Sequence, residues 1–112
     1  MAEEFWKAID RLVEESEIVL DRPKGSAHPR YPDLIYKVGY GYLKNTTSPD
    51  GGGIDVWLGS GERKAVALVC TVDLVKRDSE IKILIGCNEE EIAYVDHFHN
   101  RTECMKGILI RR

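Results

Sequence analysis

Apolar residues near the start of the chain recur at the spacing of an amphipathic helix, and acidic residues fill many of the positions between them. This pattern predicts a helix over residues 3–15. Its buried side would comprise Trp6 and four residues at helical spacing: Phe5, Ile9, Leu12 and Val13.

A second helix is predicted to begin after Asn88, since asparagine is a favoured helix N-cap. Glu91 lies three residues further on, where a capping box places its carboxylate. The buried stripe of this helix would be formed by Ile92, Val95 and Phe98.

The rest of the chain consists of short apolar blocks separated by turn residues, a pattern typical of strands. The predicted strands span residues 17–21, 34–43 (as one or two strands), 54–58, 65–73, 80–86 and 105–110. A charged segment around Lys76 and Arg77 joins residues 65–73 to 80–86 as a hairpin. Five or six short strands with two helices predict an α+β fold, most simply a small, partly closed barrel.

Composition narrows the function classes. A chain of 112 residues is expected to form a single domain over residues 1–112. Its net charge of −3 argues against a duplex nucleic-acid partner, and no apolar run approaches the roughly 18 residues that span a membrane. The acidic N-terminus lacks the features of a signal peptide, and the three cysteines are odd in number. We therefore expect a cytoplasmic protein with reduced thiols, whose cysteines are small, buried apolar residues.

A glycine-rich turn is the most unusual segment of the sequence. Three consecutive glycines, Gly51 to Gly53, lie between the carboxylates of Asp50 and Asp55. A simple reversal needs only one or two glycines, so three suggest that the backbone comes close to another group. The flanking acids suggest that this group is cationic.

Two further aspartates lie at the mouth of the predicted hairpin. Asp73 ends one strand and Asp78 precedes the other, and like charges at facing positions are unfavourable unless a cation lies between them. Together with Asp50 and Asp55 they could form an oxygen-rich pocket for Mg²⁺. The alternative is that each aspartate is a solvated turn-former.

Tyrosines and basic residues add two more clues. Strand alternation places four side chains on one face: Tyr36, Val38, Tyr40 and Tyr42. The opposite face carries Gly39 and Gly41 and is open to a close neighbour. Such a row is either packed core or a ligand-binding surface. The basic residues of these segments are dispersed: Lys24, Arg30, Lys76, Arg77 and Lys82. Each is by default a solvated surface residue, yet together with the carboxylates they would suit a substrate with several phosphoryl oxygens.

The order of these segments resembles the soluble inorganic pyrophosphatases of the barrel-forming type. That family opens with an acid-x-Pro step and a basic segment, as in Asp21-Arg22-Pro23-Lys24-Gly25-Ser26, followed by a Tyr-x-x-x-Tyr-Gly-aromatic run, as in Tyr36 to Tyr42. Its signature loop Asp-Gly-Asp-Pro-x-Asp-Val is similar to Asp50-Gly-Gly-Gly-Ile-Asp55-Val56. Downstream it has two aspartates five apart, a lysine and a helix with His-Phe, which Asp73, Asp78, Lys82 and His97-Phe98 match. The resemblance covers roughly residues 17–100.

This resemblance implies Mg²⁺-dependent hydrolysis of pyrophosphate to two phosphates on an OB-like barrel with an N-terminal helix and a second helix near the C-terminus. It implies Mg²⁺ ligands at Asp50, Asp55, Asp73 and Asp78, with Asp55 and Tyr40 in catalytic roles. It also implies a substrate-binding set consisting of Lys24, Arg30, Tyr36 and Lys82. Asp21 occupies a position where the family usually has a glutamate.

The departures from the family pattern bear on activity. The middle aspartate of the signature loop, the usual base, is Gly52, and the proline is Gly53. The hairpin that carries a phosphate-binding arginine is largely missing, Glu80 occupies the expected lysine position, and Thr102-Glu103 replace a Tyr-Lys pair. The sequence therefore leaves open a slow pyrophosphatase, a hydrolase of another phosphoanhydride, and a relative that only binds phosphate or metal.

Three further expectations concern oligonucleotide binding, the histidines and the oligomeric state. An OB-type oligonucleotide binder would stack bases on four aromatic residues: Tyr36, Tyr40, Tyr42 and Trp57. The acidic loops and the negative net charge argue against this function. His97 and His99 are interpreted as helix-end histidines that interact with the helix dipole. A small core and the apolar residues of the first helix predict a homo-oligomer.

Overall fold

Two helices and a six-stranded sheet make up the fold in the computed structural model, which describes residues 2–112. The elements are α1 (Ala2–Glu14), β1 (Ile18–Arg22), β2 (Gly39–Leu43), β3 (Ile54–Leu58), β4 (Ala65–Asp73), β5 (Asp78–Ile85), α2 (Glu89–Phe98) and β6 (Met105–Arg111). The predicted α+β class and the predicted order of elements are confirmed.

The segment before β2 differs from the expectation. Only the last part of the predicted strand 34–43 is strand, because residues 24–38 fold back on themselves through short-range pairing. The backbone N–H of Gly25 donates to the carbonyl of Tyr36 at 2.7 Å, and that of Tyr36 donates to Ser26 at 2.9 Å. This local pairing brings Tyr36 back beside the end of β1.

The sheet is mixed, with strand order β1-β2-β3-β5-β4-β6. Four of the strand pairs are antiparallel, whereas β3 and β5 are parallel and meet through three residue pairs: Val56↔Ile83, Trp57↔Leu84 and Leu58↔Ile85. We call this junction the β3/β5 seam. Within residues 2–112 no pairing joins β1 to β6, so the sheet is open where a partly closed barrel was expected.

Alternation along the strands sorts the apolar residues into two clusters. The α1-side core is mainly aliphatic and comprises Trp6, Val13, Leu43, Val56, Ala65, Leu68, Ile83 and Ile85. The α2-side core is richer in aromatic residues and comprises Tyr36, Val38, Trp57, Ala67, Val69, Leu84, Cys87, Ile92 and Val95. Consecutive residues of β4 and β5 therefore contribute to opposite faces of the sheet.

The glycines of β2 admit a neighbouring strand, as the sequence predicted. A Cβ added to Gly41 would lie 2.0 Å from the carbonyl oxygen of Val19 in β1. Only a glycine allows the two backbones to approach this closely. The open face of the tyrosine run is thus occupied by protein backbone.

Several large apolar side chains remain exposed on the outer surface, among them Phe5 (43%), Ile81 (48%) and Ile108 (66%). These are consistent with the expectation of a homo-oligomer, which stays a prediction. Among the residues that the structure describes, neither helix has the length and apolar character needed to cross a membrane.

Candidate functional site

A cavity of about 360 Å³ opens at the polar end of the α2-side core. Its walls are formed by the glycine loop, the β4–β5 hairpin and neighbouring residues of β1, β2 and β3. The segment that follows α2 completes them. Seven of the nine residues to which the sequence resemblance gave a catalytic, substrate-binding or metal-binding role line it: Tyr36, Tyr40, Asp50, Asp55, Asp73, Asp78 and Lys82. The fold therefore brings the glycine-loop acids and the hairpin acids to one place.

Lys82 lies at the base of this cavity with its ammonium group fully engaged. Its Nζ donates to Asp55 Oδ2 at 2.8 Å, to Glu80 Oε2 at 3.0 Å and to the hydroxyl of Tyr40 at 2.9 Å. The lysine side chain is only 6% exposed, and the Glu80 side chain is 13% exposed. Strand parity explains this arrangement, since Glu80 and Lys82 are two residues apart on β5 and face the same side.

The protonation states in this group follow from the contacts. Burial alone lowers the pKa of Lys82, but the neighbouring Tyr40 and Asp55 outweigh burial and raise it above its ordinary value. Burial raises the pKa of Tyr40, whose hydroxyl donates to Asp55 Oδ2 at 2.7 Å. Near neutral pH the lysine is therefore an ammonium and the tyrosine a neutral phenol.

Asp50 both lines the cavity and stabilises its own turn. Its Oδ1 accepts the hydroxyl of Ser48 at 2.7 Å and the backbone N–H of Gly52 at 2.9 Å, and these bonds lower its pKa. The loop needs glycine at two positions for reasons of chain geometry. Gly51 has φ of +85°, and a Cβ on Gly53 would lie 2.7 Å from the carbonyl oxygen of Leu43. The close approach inferred from the three glycines is thus to strand β2 at Gly53.

Asp73 and Asp78 are directly paired at the open end of the β4–β5 hairpin. Asp73 Oδ1 accepts the backbone N–H groups of Val75 at 2.9 Å and Lys76 at 3.0 Å, which stabilises the hairpin loop. This loop also brings Lys76 to the cavity wall. The two facing acids therefore have a basic neighbour from their own turn.

These residues match Mg²⁺ in chemistry but not in arrangement. Carboxylates are suitable ligands for this ion. Within residues 2–112, however, no three His, Cys, Asp or Glu side chains converge as a ligand group. Asp55 is bonded to Lys82, while Asp50 and Asp73 accept hydrogen bonds within their own turns. The cavity is therefore not a preformed site for a resident magnesium ion.

A second wall of the cavity was missed in the sequence. The Nη1 of Arg22 donates to the hydroxyl of Tyr36 at 3.0 Å, and the guanidinium of Arg101 lies 4.3 Å from the ring centre of Phe98. His28 also lines the cavity, and its pKa is lowered by burial and then by the nearby arginines. Arg22 could have been found, because it is part of the Asp21-Arg22-Pro23 step. No sequence pattern singled out Arg101.

Two predicted phosphate-binding residues lie elsewhere. Lys24 lines a different cavity of about 420 Å³ next to Asn88 and Tyr94. Arg30 is exposed and does not line the candidate cavity, and its backbone N–H donates to His28 Nδ1 at 3.0 Å. The roles proposed for Lys24 and Arg30 stay predictions, whereas Arg22 and Arg101 are the arginines at the cavity.

The histidine interpretation needs a correction. His99 is the C-cap of α2, but it is buried and its Nε2 accepts the indole N–H of Trp57 at 3.0 Å. Burial lowers its pKa to about 3, so the ring is neutral and supplies no charge to the helix dipole. His97 lies exposed in the last helical turn, where the dipole interpretation still applies.

The cysteine and oligonucleotide expectations also change. Cys87 is buried, with a pKa raised by burial to about 12, but Cys70 is only partly buried and Cys104 is exposed. The expectation of small buried thiols is therefore right for Cys87 and wrong for Cys104. Trp57 is fully buried and Tyr36 is 3% exposed, so neither offers a ring face on which a base could stack.

The architecture is similar to that of a known protein class. The chain superposes on the crystal structure of an inorganic pyrophosphatase from Neisseria gonorrhoeae with a TM-score of 0.58 and 18% identity, over 84% of this chain and 80% of that chain. At this identity the likeness shows the fold, so the chain has a pyrophosphatase-like fold. No protein-family model matches the sequence, and no curated protein matches it.

Proposed function

We propose that this protein binds pyrophosphate, or a related phosphoanhydride, as its magnesium complex and hydrolyses it slowly. The observation that carries the proposal is the meeting of the glycine-loop acids, the hairpin acids and two tyrosines in one cavity of a pyrophosphatase-like fold. Seven of the nine residues to which the sequence resemblance gave a role line this cavity, which supports the proposal.

The charges of the cavity suit such a ligand. Arg22, Lys76 and Arg101 provide cations for phosphoryl oxygens, and guanidinium groups bind such oxygens in a bidentate manner. Asp50, Asp73 and Asp78 provide carboxylates on the loop side. A magnesium–pyrophosphate complex presents both signs of charge and can therefore engage both walls.

In the hydrolytic step proposed for this cavity, Asp55 is the general base. A water oxygen attacks one phosphorus atom, the bond from that phosphorus to the bridging oxygen breaks, and the second phosphate leaves with the electron pair. Asp55 uses Oδ2 to accept from Lys82 and Tyr40, which leaves Oδ1 to accept the proton of the attacking water. Magnesium, when carried in by the substrate, neutralises phosphoryl charge.

Two features predict low turnover. The position at which the resembled family has its usual base is Gly52, which has no side chain. The remaining candidate, Asp55, already uses Oδ2 to accept from the Lys82 ammonium and the Tyr40 hydroxyl. These same features favour a second candidate function, in which the chain binds the phosphoanhydride without turnover.

Phosphate release separates the two candidates. We expect the native chain to release phosphate from pyrophosphate in the presence of Mg²⁺, and Asp55→Asn to lower the rate by roughly 10²-fold or more, the usual contribution of a general base. Asp33→Asn changes an exposed carboxylate that does not line the cavity and is the matched control. Absence of release at every Mg²⁺ concentration, with pyrophosphate binding retained, would establish the binding function instead.

Restoring an acid at the glycine loop tests the site from the other direction. A Cβ on Gly52 would meet only Asp50, with Oδ1 3.2 Å away, so Gly52→Asp needs a small adjustment. We expect faster hydrolysis and tighter Mg²⁺ binding than in the native chain, measured by steady-state kinetics and by calorimetry. Gly52→Ala controls for the added Cβ, and an unchanged Mg²⁺ affinity in Gly52→Asp would contradict the assignment of the cavity.

A further inference from the structure

We infer that Lys82 is a built-in cation that takes the place of a resident metal ion between Asp55 and Glu80. Lys82 is then a positioning residue and does not bind the phosphate of a ligand. The inference rests on the proposed function only for the kind of ligand that enters the cavity. The role of Lys82 itself follows from its contacts and burial.

The donor count of the ammonium is the first argument. A lysine ammonium has three N–H donors and no acceptor. All three are used here, on Asp55 Oδ2, Glu80 Oε2 and the hydroxyl of Tyr40, at 2.8, 3.0 and 2.9 Å. A phosphoryl oxygen could bind Lys82 only by displacing one of these partners. Arg22 and Arg101 also line the cavity, and Arg22 uses one of its five donors on Tyr36.

The position of the ammonium is the second argument. It lies between the carboxylates of Asp55 on β3 and Glu80 on β5, at 2.8 and 3.0 Å. A buried carboxylate without a counter-charge is very unfavourable, and the ammonium supplies that charge. A metal ion at the same place would be repelled by Lys82 and would compete with it for Asp55 and Glu80.

The consequence is that magnesium enters this cavity with the ligand and does not bind there beforehand. In the phosphate-free native chain the two carboxylates are already neutralised in part, and Asp50 and Asp73 accept hydrogen bonds within their own turns. Removing the charge of Lys82 frees Asp55 and Glu80 together. Their carboxylates then face one space without a cation and become a metal site.

The test measures Mn²⁺ binding to the phosphate-free chain by electron paramagnetic resonance, together with the metal dependence of the melting temperature. We expect the native chain to bind Mn²⁺ with a Kd on the order of 1 mM or weaker, as expected where few free carboxylates are available. Lys82→Met should bind at least about tenfold more tightly, and Mn²⁺ should raise its melting temperature. Lys44→Met is the control, because Lys44 contacts only one carboxylate, Glu17, at 3.9 Å on the surface.

A second variant keeps the test decisive if Lys82→Met does not fold. Lys82→Gln removes the charge but keeps amide donors for the carboxylates, and it should show the same gain in Mn²⁺ affinity. Tight stoichiometric binding by the native chain that Asp55→Asn abolishes would overturn the inference, as would a folded Lys82→Gln without any gain. Because phosphate is absent throughout, these outcomes are independent of whether the native chain hydrolyses pyrophosphate.

Discussion

The two faces of the sheet are made from alternate residues of the same strands, yet they differ in chemistry. Along β5, Ile83 and Ile85 enter the aliphatic α1-side core, whereas Lys82 and Leu84 face the α2 side. The buried polar residues lie on the α2 side of the sheet or at its cavity: Thr71, Lys82 and His99. Within residues 2–112 no buried side-chain N or O atom lacks a hydrogen-bond partner.

The two faces therefore differ in how closely their stability is tied to ligand binding. The α1-side core is built from apolar contacts, which are non-directional and tolerate repacking. On the α2 side, Trp57, His99 and Lys82 each depend on a specific partner. A change on the α1 side should therefore affect stability alone, while a change on the α2 side should affect stability and ligand binding together.

The largest expected effect is that of Trp57→Ala. Trp57 is fully buried, and its ring centre lies 4.6 Å from that of Tyr40. Truncation should lower the free energy of unfolding by about 3–5 kcal/mol, measured by urea denaturation, and should weaken pyrophosphate binding. Leu43→Ala on the α1 side should cost about 2–5 kcal/mol but leave the pyrophosphate Kd unchanged. Equal changes in Kd for both variants would remove the distinction between the faces.

A smaller effect is expected from acid, through His99. Its pKa is about 3 in the folded chain, whereas an unperturbed histidine has a pKa of 6.5, so the unfolded state binds more protons between these values. Stability is therefore greatest above pH 6.5 and falls as the pH is lowered, by about 2 kcal/mol between pH 6.5 and 5. Urea midpoints across this range should flatten in His99→Gln but not in His97→Gln, and parallel curves for the native chain and His99→Gln would refute the assignment.

The smallest effect is expected at the start of α2. Asn88 accepts the backbone N–H of Glu91 at 2.9 Å, and the Glu91 side chain accepts from the backbone of Asn88 at 2.8 Å. Asn88→Ala should lower the free energy of unfolding by about 1 kcal/mol, the usual value of an N-cap. The cap lies at the other end of α2 from His99, so pyrophosphate binding should not change. Glu90→Gln is the control, and a loss of binding in Asn88→Ala would extend the sensitive region along the whole helix.

The sequence predicted the elements well because each carries its own local signal. The capping box at Asn88, the period of α1 and the alternation of β4 and β5 are all short-range patterns. The hairpin acids and the tyrosine run could be placed for the same reason. Sheet order was beyond reach, since the β3/β5 seam pairs residues about 27 positions apart with no local pattern to indicate it.

The cavity was predicted in part, because the sequence indicates which charged residues are present but not which partner each of them contacts. The two-residue spacing of Glu80 and Lys82 implies that both face one side of β5, but spacing cannot show that Asp55 of β3 accepts a hydrogen bond from the Lys82 ammonium. Arg101 follows α2 in the chain and lines the cavity, and its position there depends on how the helix packs on the sheet. His99 was misjudged because its partner, Trp57, is 42 residues away.

The β3/β5 seam divides the chain into two halves that are local in sequence. β1, β2 and β3 form an antiparallel meander, and β4, β5 and β6 form a second three-stranded unit. Tyr40 and Asp55 come from the first half, while Glu80 and Lys82 come from the second. Their cluster can therefore form only when the two halves are docked, and docking must offset the loop-closure entropy of these non-local contacts. A ligand that binds the cavity, which residues of both halves line, favours the docked state by mass action, so its occupancy and the completion of folding are a single linked equilibrium.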